Sequence, residues 1–410
     1  MTRTYSWPED HWDWYQHLAF QHGIANGALM FVGGQVDKTS GGEPRHAFDL
    51  SRQTQVVMQH IDTVLKGFDS SIADVTKFTA LYANDGSVDE QAFIADVGRQ
   101  LLDLCGDGDK LVSPVITAVP LPCLALPGMM VEIEAVAVLK RADGGYQQRI
   151  ANPAQLAPLP APFSHGLRCG QHAWVGGQSG RDCHGASQFP GDKTAHTPLV
   201  MQAVQAVLAE LGLDIDDTVK VAGWYRGDGR QATWKPEAQQ RAAWFESPGP
   251  VCTELPTNNL PDGDTVRVDV WAMRAPDGEK LERRHVAATG PSKELSYSAA
   301  LGCDRMVFVG GQLPFDAQGR LLHSGDLNQQ TRYVMQNIGD SLAQFGLNLD
   351  HMVRQMSFYL GGADPAIIVA NQTLRSSYYT EPAGASTGVP LPGFALEDVM
   401  VTVETIAMID

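Results

Sequence analysis

The sequence contains no run of 18 apolar residues and no charged-then-apolar leader after Met1-Thr2-Arg3. It therefore offers no transmembrane helix and no secretory signal to read, and a soluble, cytoplasmic protein is expected. Positive charge is also scarce. Lys and Arg number 30 against 47 Asp and Glu, a formal net charge of −17. Nothing in that balance offsets repulsion from a phosphate backbone, so neither nucleic acid nor a membrane surface is expected as a partner. The densest basic pair, Arg283-Arg284, reads as solvated linker. At 43% hydrophobic and 19% charged over 410 residues, the chain has the composition of two to four ordinary folded domains.

What is present is one pattern written three times. Val32-Gly33-Gly34-Gln35 recurs as Val175-Gly176-Gly177-Gln178 and as Val309-Gly310-Gly311-Gln312. The same offsets, without a gap, align Val57-Met58-Gln59, Val200-Met201-Gln202 and Val334-Met335-Gln336. Asp49-Leu50 falls on Asp326-Leu327 and Gln53-Thr54 on Gln330-Thr331. A period of roughly 130 residues sets domains, not a solenoid. The domains expected are 1–142 (with an aromatic N-terminal arm of Tyr5, Trp7, Trp12, Trp14 and Tyr15 that packs on a neighbouring surface), 158–274, and 292–410. The Gly- and Pro-rich stretches Arg141 to Pro160 and Arg274 to Lys293 read as linkers. No position among the six cysteines (Cys105, Cys123, Cys169, Cys183, Cys252, Cys303) recurs in all three copies, which argues against a disulfide framework. His165, Cys169, His172, Cys183 and His184 do not recur as a set in either other copy, so no metal and no cofactor are expected.

Within each copy the hydrophobic period switches in a fixed order. A strand ends at Gly-Gly-Gln, where missing side chains allow close backbone approach. A helix follows, marked by Val334, Ile338, Leu342 and Phe345 at spacings of three and four. Then come a strand (Val219 to Tyr225; Met352 to Leu360), a second helix (Glu237 to Phe245; Pro365 to Tyr379) and a closing alternating strand such as Met130 to Val136. The reading is an α+β unit, a mainly antiparallel sheet with two helices on one face.

These features together, Gly-Gly-Gln after a strand, Gln-Thr and Met-Gln in the next helix, and the ending Val131-Glu132-Ile133-Glu134-Ala135-Val136, resemble the YjgF (Rid) family. The match covers nearly all of copies one and three, with copy two more divergent. The resemblance implies chorismate-mutase-like units, here three in tandem closing as an intrachain pseudotrimer with a small-molecule cleft at each junction; further pairing of whole chains is left open. It also implies hydrolysis of reactive enamines and imines to ammonia. Deaminating members hold the substrate carboxylate with an Arg before the final Leu-Pro. Here that position is Gly384 in copy three and Pro114 in copy one, and copy two offers only Pro248-Gly249-Pro250. No clamp of this kind is therefore expected, and the substrate is expected to differ from the usual 2-imino acids, an aminomuconate-type intermediate being one example.

The resemblance assigns water positioning to Glu404 and Glu134, with Asp269 in the corresponding slot of copy two; the alternative is that these carboxylates make structural contacts. Tyr297 and Asn371 match the family's Tyr and helix-opening Asn. Either they orient substrate or they serve as an interface aromatic and a helix cap. Gln312 and Gly384 are taken as lining residues. Arg226, in Tyr225-Arg226-Gly227-Asp228-Gly229-Arg230, is the remaining candidate for a carboxylate grip, and Cys252 a candidate nucleophile without an aligned His. Cyanuric-acid-type ring-opening hydrolases share a three-unit architecture but need a Ser–Lys pair per unit; no Lys is expected to recur. Chorismatases share the fold but are expected to differ in length. The function expected is hydrolytic deamination of a small enamine or imine, with a non-catalytic small-molecule-binding protein as the alternative.

Overall fold

The computed structural model describes residues 3–9, 11–13, 17–39, 41–106, 111–139, 148–227, 231–257 and 259–410. Trp14, Tyr15, Asp228, Gly229 and Arg230 lie outside the described residues.

Three units share one order of elements. The first has β1 (Arg3–Ser6), β2 (Phe20–Gln21), β3 (Gly23–Asn26), β4 (Leu29–Gln35), α1 (Leu50–Lys66), β5 (Val75–Ala83), α2 (Glu90–Cys105), β6 (Val115–Leu121) and β7 (Val131–Val138). The second has β8 (Gln148–Ala151), β9 (Gly166–Cys169), β10 (His172–Gln178), α3 (Lys193–Glu210), β11 (Thr218–Arg226), α4 (Gln231–Ala242), β12 (Val251–Thr257) and β13 (Val266–Met273). The third has β14 (Arg283–Ala287), β15 (Ser298–Cys303), β16 (Met306–Gln312), α5 (Leu327–Ala343), β17 (Met352–Leu360), α6 (Pro365–Ser376), β18 (Ala383–Leu391) and β19 (Val401–Met408). The first sheet runs β1-β3-β4-β7-β5-β6, and the others repeat that order. Within each unit, among the described residues, only the pair of strands flanking the second helix is parallel, as a crossover helix requires; β12 with β15 and β18 with β2 pair in parallel between units.

Both linker readings need correction. Gln148–Ala151 pairs with β9 and Arg283–Ala287 with β15, so each segment adds an edge strand to the unit that follows. Of the pair Arg283-Arg284, only Arg284 is exposed. Arg283 donates to the carbonyls of Asp216 and Thr218, and Arg284 lies over the Phe345 ring. Helix α4 begins six residues before the expected Glu237 and carries Pro236 in its interior.

The repeated signatures hold this frame. Each Gly-Gly-Gln is a β-bulge, with register shifts at Val32/Gln35, Val175/Gln178 and Val309/Gln312. The Gln side chain fastens the bulge by donating to the carbonyl of the first glycine, at 3.0, 2.9 and 3.1 Å in the three units. Gln53 and Gln330 tie their helices to the loop before the last strand: each donates to a loop carbonyl, Gly128 or Asp398, and accepts the N–H of Met130 or Met400. The buried Val-Met pairs of the first helices fill the core beneath each helix layer. A further core gathers Phe31, Trp174, Trp271, Phe308 and Ile406 from all three units. The inner sheet faces therefore close on one another as the pseudotrimer expected from the sequence.

Candidate active site at the inter-unit seams

The units meet at three seams: β6 against β10, β12 against β16, and β18 against β4. At each, the first glycine of the bulge lets one unit's backbone touch the next. A Cβ on Gly176 would come within 2.8 Å of the Ile116 carbonyl oxygen. One on Gly310 would meet that of Cys252 at 2.9 Å, and one on Gly33 that of Ser386 at 3.1 Å. The seams are closed by Ser164 N–H to Pro114 O, Ser298 N–H to Pro250 O and Ala383 N–H to Ala19 O.

Where the seams converge, six buried charges interlock. Arg354 donates to Glu134 (2.5 Å) and Glu404 (2.7 Å), Lys220 pairs with Glu404 at 3.0 Å, and Lys77 with Asp269. Thr253 and Thr387 add hydroxyl hydrogen bonds to Glu404 and Glu134. Burial alone would raise the Glu404 carboxyl, but Lys220 and Arg354 outweigh it and hold it at about 2. Burial lowers Lys77, against the pull of Asp269. Lys77, Lys220 and Arg354 occupy corresponding positions on β5, β11 and β17. A Lys does recur, contrary to expectation, but it faces carboxylates on the axis. Glu134, Asp269 and Glu404 thus belong to this ring, and none of them lines a seam cavity.

The residue two positions earlier on the closing strand does face the seam. Cβ direction repeats every second residue, so Glu132, Arg267 and Thr402 share a face with the ring carboxylates but lie farther out, over the second bulge glycine. There they cover Gly34, Gly177 and Gly311 respectively. The three seams differ most at this point.

In the first seam Arg267 is held by both oxygens of Glu90, each at 2.7 Å. The cavity is about 520 Å³, lined by His165, Gln178 and Arg181 among others. A neighbouring cavity of about 630 Å³ contains Arg226, whose guanidinium donates to the Leu260 carbonyl. In the second seam Tyr297, Gln312, Cys252, Glu254 and Thr402 line about 80 Å³. Arg241 donates to Glu237 (2.6 Å), to Glu254 and to the Tyr297 hydroxyl (3.2 Å). Burial, reinforced by Glu254, pushes the Cys252 thiol well up, a poor state for a nucleophile.

The third seam keeps a carboxylate. Glu132, Trp12, Gly34, Lys38, Gln372 and Gly388 line a pocket that is open on one side and has an enclosed part of about 30 Å³. Burial first, then the charge of Glu134, pushes Glu132 up to about 8; Lys38 only partly opposes this. Burial likewise brings Lys38 down to about 8, against Glu132 and Asp13. Of the described aromatics in the N-terminal arm, Trp12 enters this seam while Trp7 stays exposed. Trp12 is buried, donates to Gln35 Oε1 at 3.1 Å and lies under the Lys38 ammonium.

Of the other residues singled out from the sequence, Asn371 is buried behind the third seam. It donates to Thr331 Oγ1 and accepts from Ser357 and from Arg375 Nε. Gly384 lies inside β18 against the Met352 carbonyl. Tyr297 and Gln312 share the second seam, so the structure does not bring Tyr297 and Asn371 into one cleft. Sequence reasoning missed Glu132, Arg267 and Arg375, and noted Arg241 only within copy two's polar stretch; each of the three arginines is a buried guanidinium near one seam. The signal available was the polar i,i+4 pair Glu237/Arg241, matched by Asn371/Arg375, on otherwise core-facing helix positions. Among the described residues, no three His, Cys, Asp or Glu side chains converge as metal ligands would, and no helix is long and apolar enough to cross a membrane.

A family model described as endoribonuclease L-PSP matches residues 15–139 and 288–409, about three fifths of the chain. A RutC family protein of Pyrococcus abyssi is 30% identical over 111 residues, spanning 27% of this chain and 84% of its own length. The 3-aminoacrylate deaminase RutC of Acinetobacter baylyi is 31% identical over 112 residues, 27% of this chain and 85% of its own. Among solved structures, a chorismatase at 13% identity covers 82% of this chain and 93% of its own, with a TM-score of 0.48. A YjgF/YER057c/UK114 family member from Mycobacterium tuberculosis is 24% identical over 29% of this chain and 86% of its own, with a TM-score of 0.23. By the match to its family model and to the RutC relatives, the chain belongs to the YjgF (Rid) family, and it carries that fold as three tandem units.

Proposed function

We propose that the chain is a hydrolytic deaminase of a small enamine or imine, working at the third seam. The observation that carries the reading is Glu132, a carboxyl raised to about 8 by burial, facing the bulge glycine Gly34 in a cavity. A group of that pKa is protonated at neutral pH and readily gives and regains its proton. In the proposed reaction Glu132 donates a proton to the enamine carbon, leaving an iminium. Its carboxylate then takes a proton from water as the oxygen adds to the C=N carbon. The resulting carbinolamine transfers its hydroxyl proton to nitrogen, expels ammonia and leaves a carbonyl. The similarity to a relative named 3-aminoacrylate deaminase supports the reaction class. Glu134 and Glu404, committed to Arg354 and Lys220, are assigned the holding of the frame, and Glu132 takes the acid–base role first read onto them. Ammonia release from 2-aminoacrylate and 2-aminomuconate generated in situ tests the proposal: activity is expected in the native chain and lost in Glu132→Gln. Full activity in that variant would remove the assignment.

A second reading, a small-molecule-binding protein without turnover, is favoured by the internal Glu partners of Arg241 and Arg267. Absence of ammonia release together with ligand-induced thermal stabilisation would select it.

A further inference from the structure

Arg241 and Arg375 occupy the same place on α4 and α6. Both are fully buried. Their surroundings differ in charge. Arg241 meets two carboxylates, Glu237 from its own helix and Glu254 from β12. At the corresponding positions the third unit has Asn371 and Gly388. Among the described residues Arg375 accordingly finds only neutral partners: Nε donates to Asn371 Oδ1 at 2.9 Å, and Nη1 to Gln355 Oε1 at 2.7 Å and Ser386 Oγ at 3.0 Å. Nη2 is buried without a hydrogen-bond partner among the described residues. Burial brings the Arg375 guanidinium down to about 10, whereas its carboxylates carry Arg241 well up. A buried guanidinium with no counter-anion is a costly arrangement in a folded core.

The unfilled place is defined. A Cβ on Gly388 would stand 3.5 Å from Arg375 Nη2, 3.7 Å from Gln372 Nε2 and 3.9 Å from Ile368 Cδ1, all ordinary contact distances. Gly388, Gln372 and Ile368 also line the third-seam cavity that holds Glu132. In the second seam the same space beside the arginine is filled by the side chain of Glu254.

We propose that Arg375 is the anchor for a ligand carboxylate in the third seam, the acid group lying over Gly388 where Glu254 supplies one internally beside Arg241. The site takes a small carboxylic acid rather than its neutral analogue, with Arg375 Nη2 and Gln372 Nε2 donating to the two oxygens. The inference deepens the deaminase reading by naming its substrate class, yet the anion site stands whether or not turnover occurs.

The test is binding of pyruvate against pyruvamide to the full chain, followed by calorimetry and thermal shift. Pyruvate is expected to bind and pyruvamide to bind about 10- to 100-fold more weakly, the size of a lost charge-assisted hydrogen-bond pair. Arg375→Gln should abolish the preference. Because that variant is open to a folding defect, Gly388→Glu is the decisive one. It places an internal carboxylate beside Arg375, so thermal stability should rise while pyruvate binding disappears. No pyruvate binding by the native chain, equal binding of acid and amide, or native-like pyruvate binding by Gly388→Glu would each overturn the proposal. Pyruvate binding that Gly388→Glu removes, in a chain that releases no ammonia, would sink the deaminase reading and leave this one standing.

Discussion

Glu132→Gln and Glu134→Gln remove the same charge from positions two residues apart on one strand, and they are expected to act in opposite directions. Glu132 has a folded-state pKa of about 8 against an ordinary 4.5. Between those values the folded chain holds a proton that the unfolded chain has released, so stability falls as pH rises through that window. At pH 7 the gap of 2.5 units corresponds to roughly 3 kcal/mol. Gln carries no such penalty, so Glu132→Gln should stabilise the protein by up to about that amount at pH 7, with the difference vanishing near pH 4. Deaminase activity should be lost in the same variant, the exchange of function for stability expected where a carboxyl is buried for use. Glu134→Gln instead takes away one of the two acids that hold Arg354 and leaves the axial ring with an excess positive charge. Breaking such a buried pair costs about 3–5 kcal/mol. Urea unfolding at pH 4, 7 and 8.5, run beside the ammonia assay, separates the two. If Glu132→Gln proved as destabilising as Glu134→Gln at pH 7, or kept its activity, the division of labour between ring and seam would be refuted.

Gly310→Ala should destabilise by about 1–3 kcal/mol through overpacking, because its Cβ would press on the Cys252 carbonyl; thermal unfolding reads this directly. Trp12→Ala should cost about 3–5 kcal/mol from the lost buried ring. It should also enlarge the third-seam cavity, seen as lower Tm together with altered KM in the ammonia assay. His11, His22 and His60 pack ring against ring beneath the arm, 4.4 and 4.5 Å apart. Burial, joined by mutual repulsion and by Lys38 or Arg45, lowers His22 to about 2 and His60 to about 4. A base lowered in this way stabilises the fold above its ordinary 6.5, and that contribution fades as pH falls below it. Acidification from pH 7 to 4 should therefore release the arm, read as a change in Trp fluorescence before global unfolding, and His60→Asn should move the transition to lower pH.

The frame was legible in the sequence because its signatures do structural work. Gly-Gly-Gln is repeated since the bulge needs two missing side chains and one amide, and Gln53 and Gln330 recur because a helix must be tied to the same loop. The edge strands β8 and β14 were hidden by polar sequence, Gln-Arg-Ile-Ala and Arg-Arg-His-Val-Ala, whose pairing rests on backbone rather than on an apolar face. The site was harder for a geometric reason. Alternation places Glu132 and Glu134 on one face, but where a seam opens along that face depends on the approach of another unit more than 200 residues away in sequence. Arg375 escaped notice because its meaning lies in what Gly388 and Asn371 omit, visible only once Arg241 and its two carboxylates stand beside it.

Joining the three units in one chain makes their assembly a matter of folding, not of protein concentration, so dilution offers no route to pulling the seams apart. It also frees each copy from the others. A ring built from identical subunits must change every junction at once, whereas here Glu132, Arg267 and Thr402 occupy one structural position with three different chemistries. One junction can therefore specialise while its two siblings are turned over to holding the ring shut.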